Sequence, residues 1–122
     1  MKSPHKGIKR IVFAGMNSIN GLVSTYREEE AFRQEIWLFV VLVPVAFWLG
    51  KTVWDIAILL GVWIFVMIVE LLNSALETAV DRIGHEYNEL SGRAKDQASA
   101  AVLLSFVIAI GVWVGFLLER FL

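Results

Sequence analysis

A long apolar run closes on Glu70-Leu-Leu-Asn-Ser-Ala-Leu-Glu-Thr-Ala-Val-Asp81, where polar residues recur at i, i+3, i+4, i+7 and i+11. On a helix turning about 100° per residue, Asn73, Ser74, Glu77 and Asp81 fall within roughly 60° of Glu70. One face therefore carries three carboxylates and an amide. Such a face is excluded from lipid, so it looks into protein or a wet cavity and marks a place where ions, protons or substrate are handled. The bland alternative is polar glue between helices. One Asn or Ser would serve for that, whereas each ionised carboxylate needs a cation, a metal or a changed proton affinity.

The donor set narrows which cation is met. Cysteine is absent and neither histidine falls in the stripe, so the ligands are oxygens, which suit Mg²⁺ better than zinc or copper. Mg²⁺ usually keeps waters and is held by one or two carboxylates together with substrate phosphates. A second acidic cluster, Glu28-Glu29-Glu30, is placed to add a carboxylate, or simply to favour the positive end of a helix dipole. Residues 82–97 mix glycine, acid and base. Arg93 and Lys95 there are able to neutralise phosphate, although the positive-inside bias alone would also place them on that side. No GxxxxGK[ST], GxGxxG, HRD or DFG pattern is present, so any nucleotide site is of another design.

These residues must be positioned by membrane helices. The chain has 122 residues, 57% of them hydrophobic, with mean hydropathy +0.65, too apolar for an ordinary soluble domain. A net charge of −1 gives no electrostatic reason to expect nucleic acid as a partner. Apolar residues at helical spacing predict an amphipathic surface helix over 7–26, with Lys6, Lys9 and Arg10 on its polar side. Transmembrane helices are predicted over 28–50, 53–80 and 97–119, the first containing Pro44 and the last uncharged between Ala98 and Leu118. The expectation is an all-α membrane protein forming one membrane domain over 1–122, with no cleavable signal peptide.

Lysine and arginine set the orientation. Six precede Ile36 and three lie between Val80 and Ala98, against Lys51 and Arg120 elsewhere, which predicts a cytoplasmic amino terminus. Trp48 and Trp54 then flank the outer turn, and Glu70 is the deepest member of the stripe. Ala101, Ser105 and Ala109, and the pair Gly111 and Gly115, permit close helix approach. Three helices enclose little volume, so a stripe of this size predicts a homo-oligomer.

Three blocks in order carry a family resemblance: Glu29-Glu-Ala-Phe-Arg-Gln-Glu35, Glu70 through Asp81, and Glu89-Leu-Ser-Gly-Arg-Ala-Lys-Asp96. The chain resembles the prokaryotic integral-membrane diacylglycerol kinases over nearly its whole length. The resemblance implies transfer of the ATP γ-phosphoryl group to diacylglycerol, giving phosphatidic acid, by a homotrimer in the bacterial inner membrane. It implies Glu70 as general base with Asn73 orienting it, and Glu29 and Glu77 on Mg²⁺ and the nucleotide. It assigns Arg10, Asn17, Glu86, Tyr87, Asn88, Lys95 and Asp96 to the nucleotide as well. Ala31, Phe32, Arg33, Gln34, Glu35, Trp48, Ser99 and Trp113 are assigned to the lipid.

Between Asn17 and Arg27 the chain departs from the family pattern, with Asn17, Ile19, Asn20 and Val23 where Tyr, Trp, Lys and Arg are expected. A similar Gram-positive branch phosphorylates undecaprenol, and the block Ala31 to Glu35 looks like the diacylglycerol branch. Without the resemblance, the stripe alone is also compatible with a cation-coupled exporter or with a regulatory membrane subunit.

Overall fold

The computed structural model describes residues 6–122, which form four helices joined by short turns: α1 (Ile8–Glu28), α2 (Glu30–Leu49), α3 (Val53–Ile83) and α4 (Glu89–Phe121). The last three are each long and apolar enough to cross a membrane. At 1.5 Å per residue, α2 measures about 30 Å, the thickness of a hydrocarbon core. The other two exceed it, α3 at about 46 Å and α4 at about 50 Å, so each has length to spare beyond a bilayer.

Each boundary has a local cause. Glu29 alone separates α1 from α2, in an extended conformation (φ −115°, ψ 110°). The Arg33 guanidinium donates to the main-chain oxygens of Tyr26 and Arg27, both at 2.9 Å, satisfying carbonyls that the last turn of α1 leaves without partners. A helix running unbroken from 28 is therefore not what forms. Gly50, Lys51 and Thr52 connect α2 to α3, and Thr52 and Asp55 make a capping box in which each side chain accepts from the other's main-chain N–H. Asp55 is thus a cap rather than a member of the acidic site. Asn88 caps α4, its Oδ1 accepting from Leu90 N at 2.9 Å and Ser91 N at 3.2 Å. This cap starts the helix at Glu89, eight residues before the uncharged stretch that hydropathy alone marks out.

α3 lies between α2 and α4. Its seams hold two small apolar cores, Ala46, Leu49 and Leu59 near one end and Trp63, Val66 and Ala109 near the middle. Two indoles tie the layers to main chain: Trp63 Nε1 donates to Glu35 O at 2.9 Å and Trp113 Nε1 to Leu59 O at 3.1 Å. Ser105 and Ala109 are buried in the seam, whereas Ala101, Gly111 and Gly115 remain exposed. Within the most apolar windows of the three long helices only 11% to 22% is buried inside the protomer. The remaining apolar surface must be covered by lipid or by other chains.

At the turn between them α2 and α3 approach closely, because a Cβ on Gly50 would meet Ala46 O and Ile56 Cγ1 at 3.0 Å and Asp55 Cβ at 3.1 Å. Gly50→Ala is expected to destabilise the protein by about 1–3 kcal/mol through overpacking of this hairpin. Equilibrium unfolding in mixed micelles titrated with SDS checks this, and an unchanged midpoint would count against the close approach.

Candidate active site

The Glu70 end of the acidic stripe of α3 faces α2, and its Asp81 end faces α4. Antiparallel packing of α2 on α3 sets Glu35 opposite Glu70, and the two carboxyls lie within hydrogen-bonding range of each other. Glu35 is only 6% exposed, and its Oε1 is buried without a hydrogen-bond partner. Trp63, two helical turns before Glu70 on the same face, fixes the Glu35 main chain through its indole N–H. Asn73 sits one turn below Glu70 with its Oδ1 likewise buried and unpartnered. Unsatisfied buried acceptors are costly, so one on the carboxyl pair and one on Asn73 beside it mark a polar spot in an otherwise apolar seam.

Further carboxylates approach from the turn and the next helical turn. Glu29 and Glu77 are both within electrostatic reach of Glu70. Glu29 arrives there because the extended break between α1 and α2 carries it to the end of the α2–α3 seam. Ser74 is buried, and Thr78 Oγ1 donates back to Ser74 O at 2.8 Å. The Thr78 hydroxyl is therefore turned to its own helix, while Ser74 lines a hollow shared with Ser18, Gly21 and Thr25 of α1.

Basic charge enters from α4. Lys95 Nζ donates to Asp81 Oδ1 at 2.8 Å, and Glu77 acts electrostatically on the same ammonium. Both side chains of the Asp81–Lys95 pair are more than two-fifths exposed. An ion pair so exposed contributes about 0–1 kcal/mol, too little to hold the α3–α4 turn together. That task falls to the caps at Gly84 and Asn88. Above the pair, Val80, Asp81, Glu86, Tyr87, Asn88 and Lys95 line part of a hollow of about 290 Å³.

Two sites result on α3: an acidic seam around Glu70 and, about 16 Å further along the helix, a mixed-charge hollow walled by Asp81 and Lys95. The sequence-predicted residues Glu29, Glu35, Glu70, Asn73 and Glu77 fall at the first, and Glu86, Tyr87, Asn88 and Lys95 at the second. Others are not brought there. Arg10 lines a separate shallow hollow on α1 with Gly7, Ile8, Ile11 and Ala14, and Asn17 is exposed on the same helix. Asp96, Ser99, Ala31 and Gln34 are exposed, the last in long contact with Glu30 at 3.5 Å.

Several residues assigned to the lipid have structural work of their own. Phe32 is 2% exposed within the protomer, and Arg33 caps α1. Trp48 lies thirteen residues from Glu35 along α2, roughly 20 Å by helical rise, where Arg120 sits 4.6 Å over its ring and Phe121 packs at 5.8 Å. Trp113 is partly buried and bonded to Leu59 O. The facing of Glu35 on Glu70, the Trp63 support and the Asp81–Lys95 pair are absent from the sequence reading. Only tertiary packing creates them.

Comparison with known proteins decides the family. The model of the prokaryotic diacylglycerol kinase family matches residues 16–117. The chain belongs to the prokaryotic diacylglycerol kinase family. Relatives named diacylglycerol kinase include one from Haemophilus influenzae, 46% identical over 91% of this chain and 94% of its own. Another from Escherichia coli K12 is 47% identical over 88% of each. A third, from Pseudomonas aeruginosa, is 43% identical over 95% of this chain and 97% of its own. Membership of the diacylglycerol kinase family gives the three apolar helices a membrane setting and the two sites a kinase context.

Arg33→Ala frees two carbonyls at the end of α1 and is expected to cost about 1–3 kcal/mol locally. Amide hydrogen exchange at residues 25–31 should accelerate while α3 and α4 keep their protection, and unchanged exchange there would contradict the capping role.

Proposed function

We propose that the protein transfers the γ-phosphoryl group of ATP to the free hydroxyl of diacylglycerol, producing phosphatidic acid. The observation that carries this reading is the acidic face of α3, which sets Glu70 against Glu35 in an apolar seam and, eleven residues or about 16 Å further along the helix, Asp81 with Lys95 at the wall of a polar hollow. A lipid hydroxyl reaches the seam from the membrane, and a nucleotide reaches the hollow from water. Family membership supplies the reaction class.

In this scheme Glu70 accepts the hydroxyl proton as the oxygen attacks, the step for which a carboxylate within hydrogen-bond reach is suited. Asn73 orients the reacting groups through its buried amide oxygen. Lys95 draws charge from the phosphates, and Glu86, Tyr87 and Asn88 border the nucleotide, with Arg10, Asn17 and Asp96 as more distant contributors. Phosphoryl transfer depends chiefly on such positioning and charge neutralisation.

Among the described residues no three acidic or histidine side chains form a metal cage. Two carboxylates completed by phosphate oxygens and waters is an arrangement Mg²⁺ ordinarily uses, so the donor set fits. Glu29 and Glu77 would hold the ion, which supplies charge neutralisation on the phosphate oxygens.

The setting follows the same reading. The protein resides in the bacterial inner membrane with its amino terminus in the cytoplasm, consistent with the lysine and arginine distribution. α1 buries none of its residues in the protomer and exposes Ile8, Ile11 and Ile19, which suits a helix lying on the headgroup layer. A homotrimer covers apolar faces that one chain leaves open, Gly111 and Gly115 among them. The lipid meets the exposed Ala31 and Gln34 and the Glu35 carboxyl at the reacting end, with Phe32 and Arg33 supporting that wall from inside, while Ser99, Trp113 and Trp48 follow its chains along the helices.

Labelled ATP offered to purified protein with diacylglycerol and undecaprenol separately tests the assignment. Phosphatidic acid formation is expected, and clear preference for the polyprenol overturns it. Glu70→Gln should lower kcat at least about 100-fold, the range of a lost general base, while nucleotide binding persists. Substantial residual turnover would remove Glu70 from that role.

A further inference from the structure

Asp81 belongs to the acidic stripe yet has no part in the scheme above. Its carboxylate accepts from Lys95 at 2.8 Å across fourteen residues of sequence, joining the end of α3 to the second turn of α4. Both residues line the hollow that also presents Glu86, Tyr87 and Asn88. The connection is too exposed to act as a fastening, and the turn already has Gly84 N bonded to Val80 O and Asn88 as a cap. Its value is therefore positional.

An ammonium has three donors and no acceptor, and Asp81 occupies one of them. Two remain for phosphate oxygens. Lysine is a compact charge on a flexible four-carbon stem, so an untethered Lys95 would have to be ordered by the nucleotide at a cost in binding. His85 stands near Asp81 and Glu77 near Lys95, so the ammonium lies between the hollow and the acidic seam.

We propose that Asp81 is a positioning residue for nucleotide binding: it holds the Lys95 ammonium at the wall of the hollow so that the ATP phosphates meet it already oriented. The inference rests on the kinase reading for the identity of the ligand, and it goes beyond that reading by giving Asp81 a function through Lys95 rather than on substrate.

The test uses the full chain in phospholipid micelles. Asp81→Asn keeps the shape and removes the charge. The KM for MgATP is expected to rise about 10-fold, the effect of one charged hydrogen bond, while kcat and the KM for diacylglycerol change less than about twofold. Asp81→Glu retains the partner and should restore KM to within about threefold of wild type. In a Lys95→Ala background Asp81→Asn should raise the KM for MgATP no further, because a residue acting through Lys95 then has nothing left to position. An unchanged KM in Asp81→Asn, or a further rise when Asp81→Asn is added to Lys95→Ala, overturns the proposal. If Asp81→Asn fails to fold, Asp81→Ser takes its place in the same comparison.

Equilibrium dialysis with labelled MgATP separates this from the kinase reading. Wild type that binds nucleotide but phosphorylates no lipid refutes the kinase reading, and weaker binding by Asp81→Asn would still sustain the role of Asp81. Equal binding by wild type and Asp81→Asn sinks that role, whatever the lipid assay shows.

Discussion

Carboxyl groups placed in an apolar seam between helices are the constraint around which this molecule is organised. Burial strips them of water, and a facing pair such as Glu35 and Glu70 requires a proton, a donor or a cation to be tolerated. The fold answers part of that requirement itself. Trp63 anchors the main chain of Glu35, and the Glu29 break delivers another acid at the end of the seam. The oxygens Glu35 Oε1 and Asn73 Oδ1 are the part of the requirement that the protomer does not meet.

Helix packing in the protomer is correspondingly sparse. Two small cores and two indole-to-carbonyl bonds join the three long helices, and most of their apolar surface is left uncovered. In water such a chain would be far from stable, but hydrocarbon removes the penalty for exposed apolar side chains and leaves polar satisfaction as the controlling term. A loose seam of this kind leaves the exposed apolar side chains of α2 to α4 to be covered from outside the protomer.

The stripe from Glu70 to Asp81 and the three apolar helices were legible because each depends on local periodicity and hydropathy. The capping asparagine at 88 was present in the sequence too, yet hydropathy alone placed the start of the last helix eight residues late. What stayed hidden depends on pairing between helices. Nothing near Glu35 in sequence shows that it faces Glu70, and nothing near Asp81 shows that it faces Lys95. The resemblance grouped Phe32, Arg33 and Trp48 as lipid contacts, but their packing differs: one fills the protomer core, one caps α1, and one stacks under Arg120 at the far end.

α4 runs from Glu89 to Phe121 without a break, so the uncharged portion and the turn carrying Lys95 form a single rigid rod. The height of the ammonium above the hydrocarbon is then dictated by helical rise, and its compass direction by helical twist. Evolutionary drift in the length of this junction is therefore quantised: one residue gained swings the ammonium by about 100°, whereas four bring it nearly back to the same bearing about 6 Å higher. A bilayer that thins or thickens around the rod would raise or lower the Lys95 ammonium relative to the membrane surface, coupling membrane thickness to the depth of that charge.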